Sequence, residues 1–224
     1  MNTVIDLPEL CPRVVSNKTD IEALRWFQTN RYFEGGVIDS LPSELPFDPA
    51  VARSIYFGVY SGGSIQATAR IIRDTGGLPM LTHHTIYPYY SQLLDEHRGS
   101  VGEISRLAVS SSTPHYRALE MLSREFLRYG LRNQHATILV ASVAESLVRI
   151  LNRLLGVPLT IIGPPLEKYG NFNGAGVPIL IDTVACLDNF RSQKSRRWEF
   201  FTEDLVIDLT GADSLTEEGA TPNR

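Results

Sequence analysis

The run ATILVASV at 136–143 is apolar almost throughout and rich in β-branched residues, which makes it a strand covered on both faces. It does not stand alone. VGEISRLAVS at 101–110 is also strand-like, and Tyr116, Leu119, Leu122 and Phe126 recur between them at three- and four-residue spacing. That spacing predicts a helix over 114–131, with Ser111, Ser112 and Thr113 as candidate caps and Pro114 at its first position. Strand, long helix and buried strand together permit a parallel crossover. A second helix over 145–155 follows, with Leu147, Ile150, Leu151, Leu154 and Leu155 inward and Gly156 ending it. LTIIG and VPILIDTVA then read as further strands around the loop PPLEKYGNFNGAG.

The segments before this unit are antiparallel in character. SIYFGVY and SIQATARIIRD flank Ser61-Gly62-Gly63, a β-hairpin signal. Thr19 to Glu22 has the form of a capping box with Thr19 as N-cap, and a first helix runs through LRWFQTNRYF to Gly35-Gly36. Ile21, Leu24 and Phe27 share one side of it, a proline-rich link spans 41–49, and a helix follows Pro88. The prediction is one mixed α/β (α+β) domain over 1–212 whose antiparallel sheet contains a parallel crossover. The tail over 213–224 is polar and expected to be disordered.

Composition excludes several classes. The formal net charge of −4 gives no general nucleic-acid footprint. No apolar run reaches membrane-spanning length, so no stable membrane insertion is expected. Cys11 and Cys186 make no metal or redox spacing and are expected as thiols. His83 and His84 are adjacent with no carboxylate at ligand spacing, which points to a surface loop and no metal site. The start lacks the pattern of a signal peptide, so a cytoplasmic location is expected.

Two charges stand out in the strand at 101–110. Alternation puts Glu103 and Ser105 on one face and Arg106 on the other. Bringing both charges to one site requires a β-bulge or a splayed strand end. Spacing alone leaves open a structural ion pair, a charge at a sheet edge, or a working pair. Gln66, Thr68 and Arg70 form a polar row on the preceding strand, and their pattern alone favours a solvent-facing row. Arg191, Lys194, Arg196 and Arg197 read as a solvated basic helix or a docking patch for an acidic partner.

EISRLAV, following ATARIIR and preceding a capped helix, resembles acyltransferases related to the acyl-homoserine-lactone synthases, within the wider GNAT superfamily. The nearest likeness is to the bacterial long-chain N-acyl amino acid synthases. Arg25 ahead of Gly35-Gly36-Val37-Ile38, and PLTIIGPPLEKYG followed by VPILIDTV, are similar to segments of that group. The likeness covers roughly residues 20 to 187. Two departures bear on function. The aspartate-rich pattern of the lactone synthases is reduced to Asp39 and Asp48, and the pyrophosphate-binding glycines of CoA-dependent GNAT enzymes are absent.

The resemblance implies a single GNAT-like domain, its mixed central sheet flanked by helices, with a bulged fourth strand that splays from the fifth. A thioester arm would lie in that gap. It further implies transfer of a long-chain acyl group from an acyl carrier protein (or CoA) thioester to the α-amine of an amino acid. No permanently bound cofactor is implied; the acyl-phosphopantetheine thioester is a co-substrate. Glu103 is the expected general base, and Arg106 and Arg70 would hold the acceptor's carboxylate or orient Glu103. Ser105 joins this group, and Arg25 would close the acceptor side, a part Arg31 also fits. Backbone N–H groups near Val140, Ala141 and Ser142 are candidate oxyanion donors. Arg128, Arg132, Arg149, Arg153 or the 191–197 cluster would meet the acidic acyl carrier protein. The alternatives are an acyl-homoserine-lactone synthase and a non-catalytic acyl- or CoA-binding domain.

Overall fold

The computed structural model describes residues 9–111, 115–133, 136–152, 159–167, 175–193 and 196–203. Their strands form one seven-stranded mixed sheet in the order β1-β2-β3-β4-β5-β7-β6. These are Cys11–Val15 (β1), Ser54–Ser61 (β2), Ser64–Arg73 (β3), Val101–Val109 (β4), Ile138–Ala144 (β5), Thr160–Ile161 (β6) and Gly176–Asp182 (β7). All neighbouring pairs are antiparallel except β4 and β5, which are parallel. The β2–β3 hairpin turns at Gly62 and Gly63, whose φ angles of 55° and 83° are those a tight primed turn demands. β1 escapes sequence reading because Pro12 and Arg13 interrupt any strand pattern; as an edge strand it tolerates both.

The sheet's alternation divides the core in two. Ile71, Leu139 and Ile179 face Leu122 and Phe126 of α4 (His115–Arg132) and Leu187 and Phe190 of α6 (Thr183–Ser192). Ile72, Val140 and Leu180 face the other way, against Met80 of α2 (Pro79–His83) and Leu94 of α3 (Pro88–Glu96). On that second side Leu24 of α1 (Lys18–Glu34) packs on Tyr56, while the adjacent Phe57 meets Phe126 edge-on. So α1 and α4 lie on opposite faces. The remaining helices are α5 (Glu145–Ile150) and α7 (Arg196–Thr202), and Phe201 of α7 stacks on Phe190. None of the described helices is long and apolar enough to cross a membrane.

Several local expectations are corrected. Asn17 caps α1, accepting a hydrogen bond from the Asp20 N–H at 2.8 Å, so the helix begins ahead of Thr19. Asp182 ends β7 by accepting from the Val184 and Ala185 N–H groups, which turns TVA into helix. Tyr116 and Ile150 are exposed, whereas Val148 takes the inward position on α5. Leu154, Leu155, Gly156, the middle of the 164–176 loop and the tail lie outside the described residues.

Gly130, near the end of α4, packs closely against the segment ahead of β5 and the start of α6. A Cβ there would sit 2.5 Å from the Ala136 carbonyl oxygen and 2.8 Å from Thr183 Cγ2. Because the nearest obstacle is backbone, Gly130→Ala is expected to destabilise the fold by about 1–3 kcal/mol. Denaturant titration checks this; an unchanged midpoint would mean the contact relaxes freely.

Candidate active site

Strand β4 carries the required bulge. Thr68 pairs with Ala108 but Arg70 with Ser105, so Arg106 and Leu107 together stand opposite Ala69. Arg106 has φ of 61°, alone among the described non-glycine residues in being positive. Such a conformation costs on the order of 1–3 kcal/mol and persists only where surroundings enforce it. Its effect is to undo the alternation. The Arg106 guanidinium comes within 3.7 Å of Asp48 Oδ2, the same oxygen that Arg70, on the Glu103 face, contacts at 2.7 Å.

The two parallel strands part just beyond this point. β4 and β5 are paired only from Val101–Ile138 to Ile104–Ala141. Above that, Ser105–Val109 and Ser142–Ala144 diverge, leaving alternate backbone N–H and C=O groups facing a gap. A cavity of about 600 Å³ occupies it. Its walls include Tyr32 of α1 on one face of the sheet and Leu119, Ser123 and Phe126 of α4 on the other, so it threads between the strands. Glu103, Arg106, Ala141 and Ser142 line it at the fork, and Leu151, Ile179 and Ile181 line its apolar end.

Glu103 sits where the strands begin to separate, paired with Ile72 on one side and Val140 on the other. It is 5% exposed, and its Oε2 accepts a 2.7 Å hydrogen bond from the Met80 N–H. Burial pushes its carboxyl above the ordinary carboxylate value. The Met80 N–H and the positive charges of Arg70, Arg53 and His83 only partly offset this.

Arg70 is not a solvent-facing residue; it and Thr68 are buried, correcting the reading of that polar row. Its Nε donates to Ser105 Oγ at 3.0 Å, and its Nη1 reaches Asp48 Oδ2 and, at 3.4 Å, the Tyr56 hydroxyl. Burial alone would raise the Asp48 carboxyl. Arg70, the Ala50 N–H and Arg106 more than offset that and hold it below its usual value. Arg70 and Ser105 are thus committed to anchoring the Asp48 segment. Arg106 is half-exposed and lines the cavity wall.

Arg25 is not on the cavity wall; it donates to the Pro46 carbonyl at 2.5 Å and fastens the segment that delivers Asp48. Arg31 is tied to the Val109 carbonyl at 2.9 Å and to Glu34. Val140 is fully buried, while Ala141 and Ser142 reach the cavity. Arg128 is 8% exposed and donates to the Glu203 carbonyl at 2.8 Å, so it holds α4 to the chain after α7 rather than presenting charge. Arg132 and Arg149 are exposed, Arg149 pairing with Glu145; Arg153 and Lys194 lie outside the described residues.

Sequence reasoning missed two members. Asp48 stood out only as a remnant of a pattern, and its role depends on a bulge invisible in one strand. His84 is not on a surface loop: it is 6% exposed at the C-terminus of α2, with Nε2 2.8 Å from Ser142 Oγ. Nothing in HHT signals that placement. Among the described residues, no three His, Cys, Asp or Glu side chains come together as a metal site.

Among solved structures, FeeM, an N-acyl amino acid synthase from uncultured soil microbes, matches with 21% identity and a TM-score of 0.60, over 86% of this chain and 98% of that one. BjaI, a CoA-dependent acyl-homoserine lactone synthase solved with MTA, matches at 14% identity and TM-score 0.62, over 83% and 89%. A putative phosphinothricin N-acetyltransferase matches at 13% and 0.53, over 78% and 99%. No curated protein sequence matches the chain. These likenesses are ones of fold, and the bulge in β4 and its separation from β5 are the features expected of a GNAT-like architecture. A family profile described as N-acyl amino acid synthase FeeM matches residues 24–175. That match spans most of the chain, so the chain belongs to the FeeM family of N-acyl amino acid synthases and is an acyltransferase.

Proposed function

We propose that the enzyme moves a long-chain acyl group from a phosphopantetheine thioester to the α-amine of an amino acid by direct attack. Glu103 is the observation that carries this reading: a buried carboxylate with a raised pKa at the mouth of a cavity that threads the sheet. An amine nucleophile is protonated at neutral pH and must lose a proton. A carboxylate made more basic by burial is suited to taking it, directly or through one water. The nitrogen then attacks the thioester carbonyl carbon, the C–S bond breaks, and the thiolate departs. Arg106 holds the acceptor's carboxylate, while Arg70, Ser105 and Asp48 fix the lip of the site on which Arg106 stands. Arg25 supports the same lip through Pro46.

The acyl chain takes the apolar end of the cavity, beside Leu119, Phe126, Ile179 and Ile181. Ser123→Phe, on that wall, is expected to shift the product toward shorter chains. Chain-length analysis of the products checks it, and an unaltered distribution would place the chain elsewhere. The donor is acyl carrier protein in preference to CoA, because the chain lacks pyrophosphate-binding glycines and exposes Arg149 beside the cavity-lining Glu145, Ser146 and Leu147. A cytoplasmic setting, where such thioesters are made, belongs to this reading.

Mass spectrometry of lipid extracts from an expressing strain against an empty vector tests the whole. An N-acyl amino acid is expected and would define head group and chain together. An acyl-homoserine lactone would overturn the acceptor assignment.

A further inference from the structure

One short helix touches both lips of the fork. The Met80 N–H of α2 binds Glu103 on β4, and His84, whose own N–H returns to the Met80 carbonyl at 3.1 Å, reaches Ser142 on β5. Ser142 lies one residue past Ala141, where pairing with β4 stops, and lines the cavity opposite Glu103. A buried imidazole, 2.8 Å from a hydroxyl that faces the reaction space, has no part yet in the chemistry.

We propose that His84 and Ser142 supply the oxyanion donor: His84 Nε2–H donates to Ser142 Oγ, and the hydroxyl hydrogen, left to point into the gap, binds the thioester carbonyl oxygen as charge builds on it. The inference rests on the acyl-transfer reading above and deepens it. Attack of the amine turns the carbonyl π bond into an oxyanion, and the electron pair returns as the C–S bond breaks. No proton moves to or from Ser142 in this step; its O–H only stabilises the transient charge. A lone serine hydroxyl rotates freely, so a fixed donor on its oxygen is what turns it into a preorganised one. Burial, and then the charge of His83, hold the His84 imidazole below its usual pKa, which keeps it neutral with one N–H to give. The other tautomer would make Ser142 O–H the donor to the ring, the arrangement of an activated nucleophile. That alternative passes through an ester on Ser142 and is chemically distinguishable.

Ser142 is then a catalytic residue and His84 a positioning residue. The test uses the full chain with palmitoyl-acyl carrier protein, palmitoyl-CoA and a mixture of amino acids. Ser142→Ala is expected to lower kcat by roughly 10²–10³-fold with little change in KM or melting temperature. His84→Leu should match that loss, and His84→Gln, whose amide N–H can occupy the place of Nε2–H, should restore most of it. The double variant Ser142→Ala/His84→Leu should be no slower than Ser142→Ala alone, because the two act as a unit. Undiminished kcat in Ser142→Ala overturns the relay, as does a palmitoyl mass adduct on Ser142 in the wild type. His84→Leu risks misfolding, so the Ser142→Ala result decides by itself. Wild-type enzyme that yields no N-acyl amino acid overturns the acyl-transfer reading and the relay with it. A productive wild type with an unaffected Ser142→Ala overturns the relay alone.

Discussion

Glu103→Gln is expected to cut the rate of acyl transfer by about 10²–10⁴-fold, the span associated with a positioned general base, while leaving the protein folded. Gln keeps an oxygen to accept from the Met80 N–H but cannot take a proton from the amine. The change also has a thermodynamic signature opposite to that of a structural salt bridge. Burial raises the Glu103 pKa above 4.5, so the folded state binds this proton more tightly than the unfolded chain does. The stability that Glu103 contributes is present below the unfolded pKa and is lost as pH rises through the folded one. At neutral pH the variant should therefore melt at a higher temperature than the wild type, and the gap should shrink as pH falls toward 4.5. The acid limb of kcat/KM should likewise lie above the ordinary carboxylate range and vanish from the residual activity of the variant. Thermal melts and rate profiles across pH check both. A fully active variant would remove Glu103 from the role of base.

The second large effect concerns Asp48. Its side chain is 14% exposed and pairs with the 5%-exposed Arg70 at 2.7 Å. Asp48→Ala removes the counter-charge of a buried guanidinium that retains only Ser105 Oγ and the Tyr56 hydroxyl among its neighbours described above. Breaking a buried pair from one side typically costs about 3–5 kcal/mol, because the surviving charge stays desolvated. Removing both charges in Asp48→Ala/Arg70→Met should cost less than the two single losses added together. The pH dependence runs the other way from Glu103. The Asp48 pKa is lowered from 3.8, so its contribution is present above that value and is lost as pH falls through the folded pKa. Denaturant titrations of the single and double variants measure this. A loss under about 1 kcal/mol for Asp48→Ala would show the pair to behave as a surface one.

How far the chain could be read ahead of its structure depended on how local each signal was. Gly62-Gly63, the spacing of Leu119, Leu122 and Phe126, and the apolar run of β5 each act within a few residues, and each lies where expected. The failures are non-local. β1 exists because β2 offers it an edge, not because CPRVV prefers to be extended. The Thr68–Arg70 row looked solvent-facing because strand alternation is silent about what covers each face; α1 and the Asp48 segment cover this one. Glu103 and Arg106 looked divergent because a bulge is a property of two strands in register, and one strand's sequence does not encode its partner's count. The likeness of EISRLAV to a known family supplied the bulge that alternation forbade. It offered nothing about His84, whose meaning arises only when α2 folds across the fork.

The fork has one more consequence, for how this protein coexists with others. A sheet's unpaired strand edge is adhesive and invites pairing with foreign chains. The outer edges here are blunted, by a proline-bearing strand on one side and by a two-residue strand on the other. A further stretch of edge, where β4 and β5 no longer pair, is instead turned inward along Ser105–Val109 and Ser142–Ala144, behind the walls formed by α1, α4 and α5. The strand separation that opens the cavity thus also turns this edge away from the outer rim of the sheet, where a foreign strand would pair.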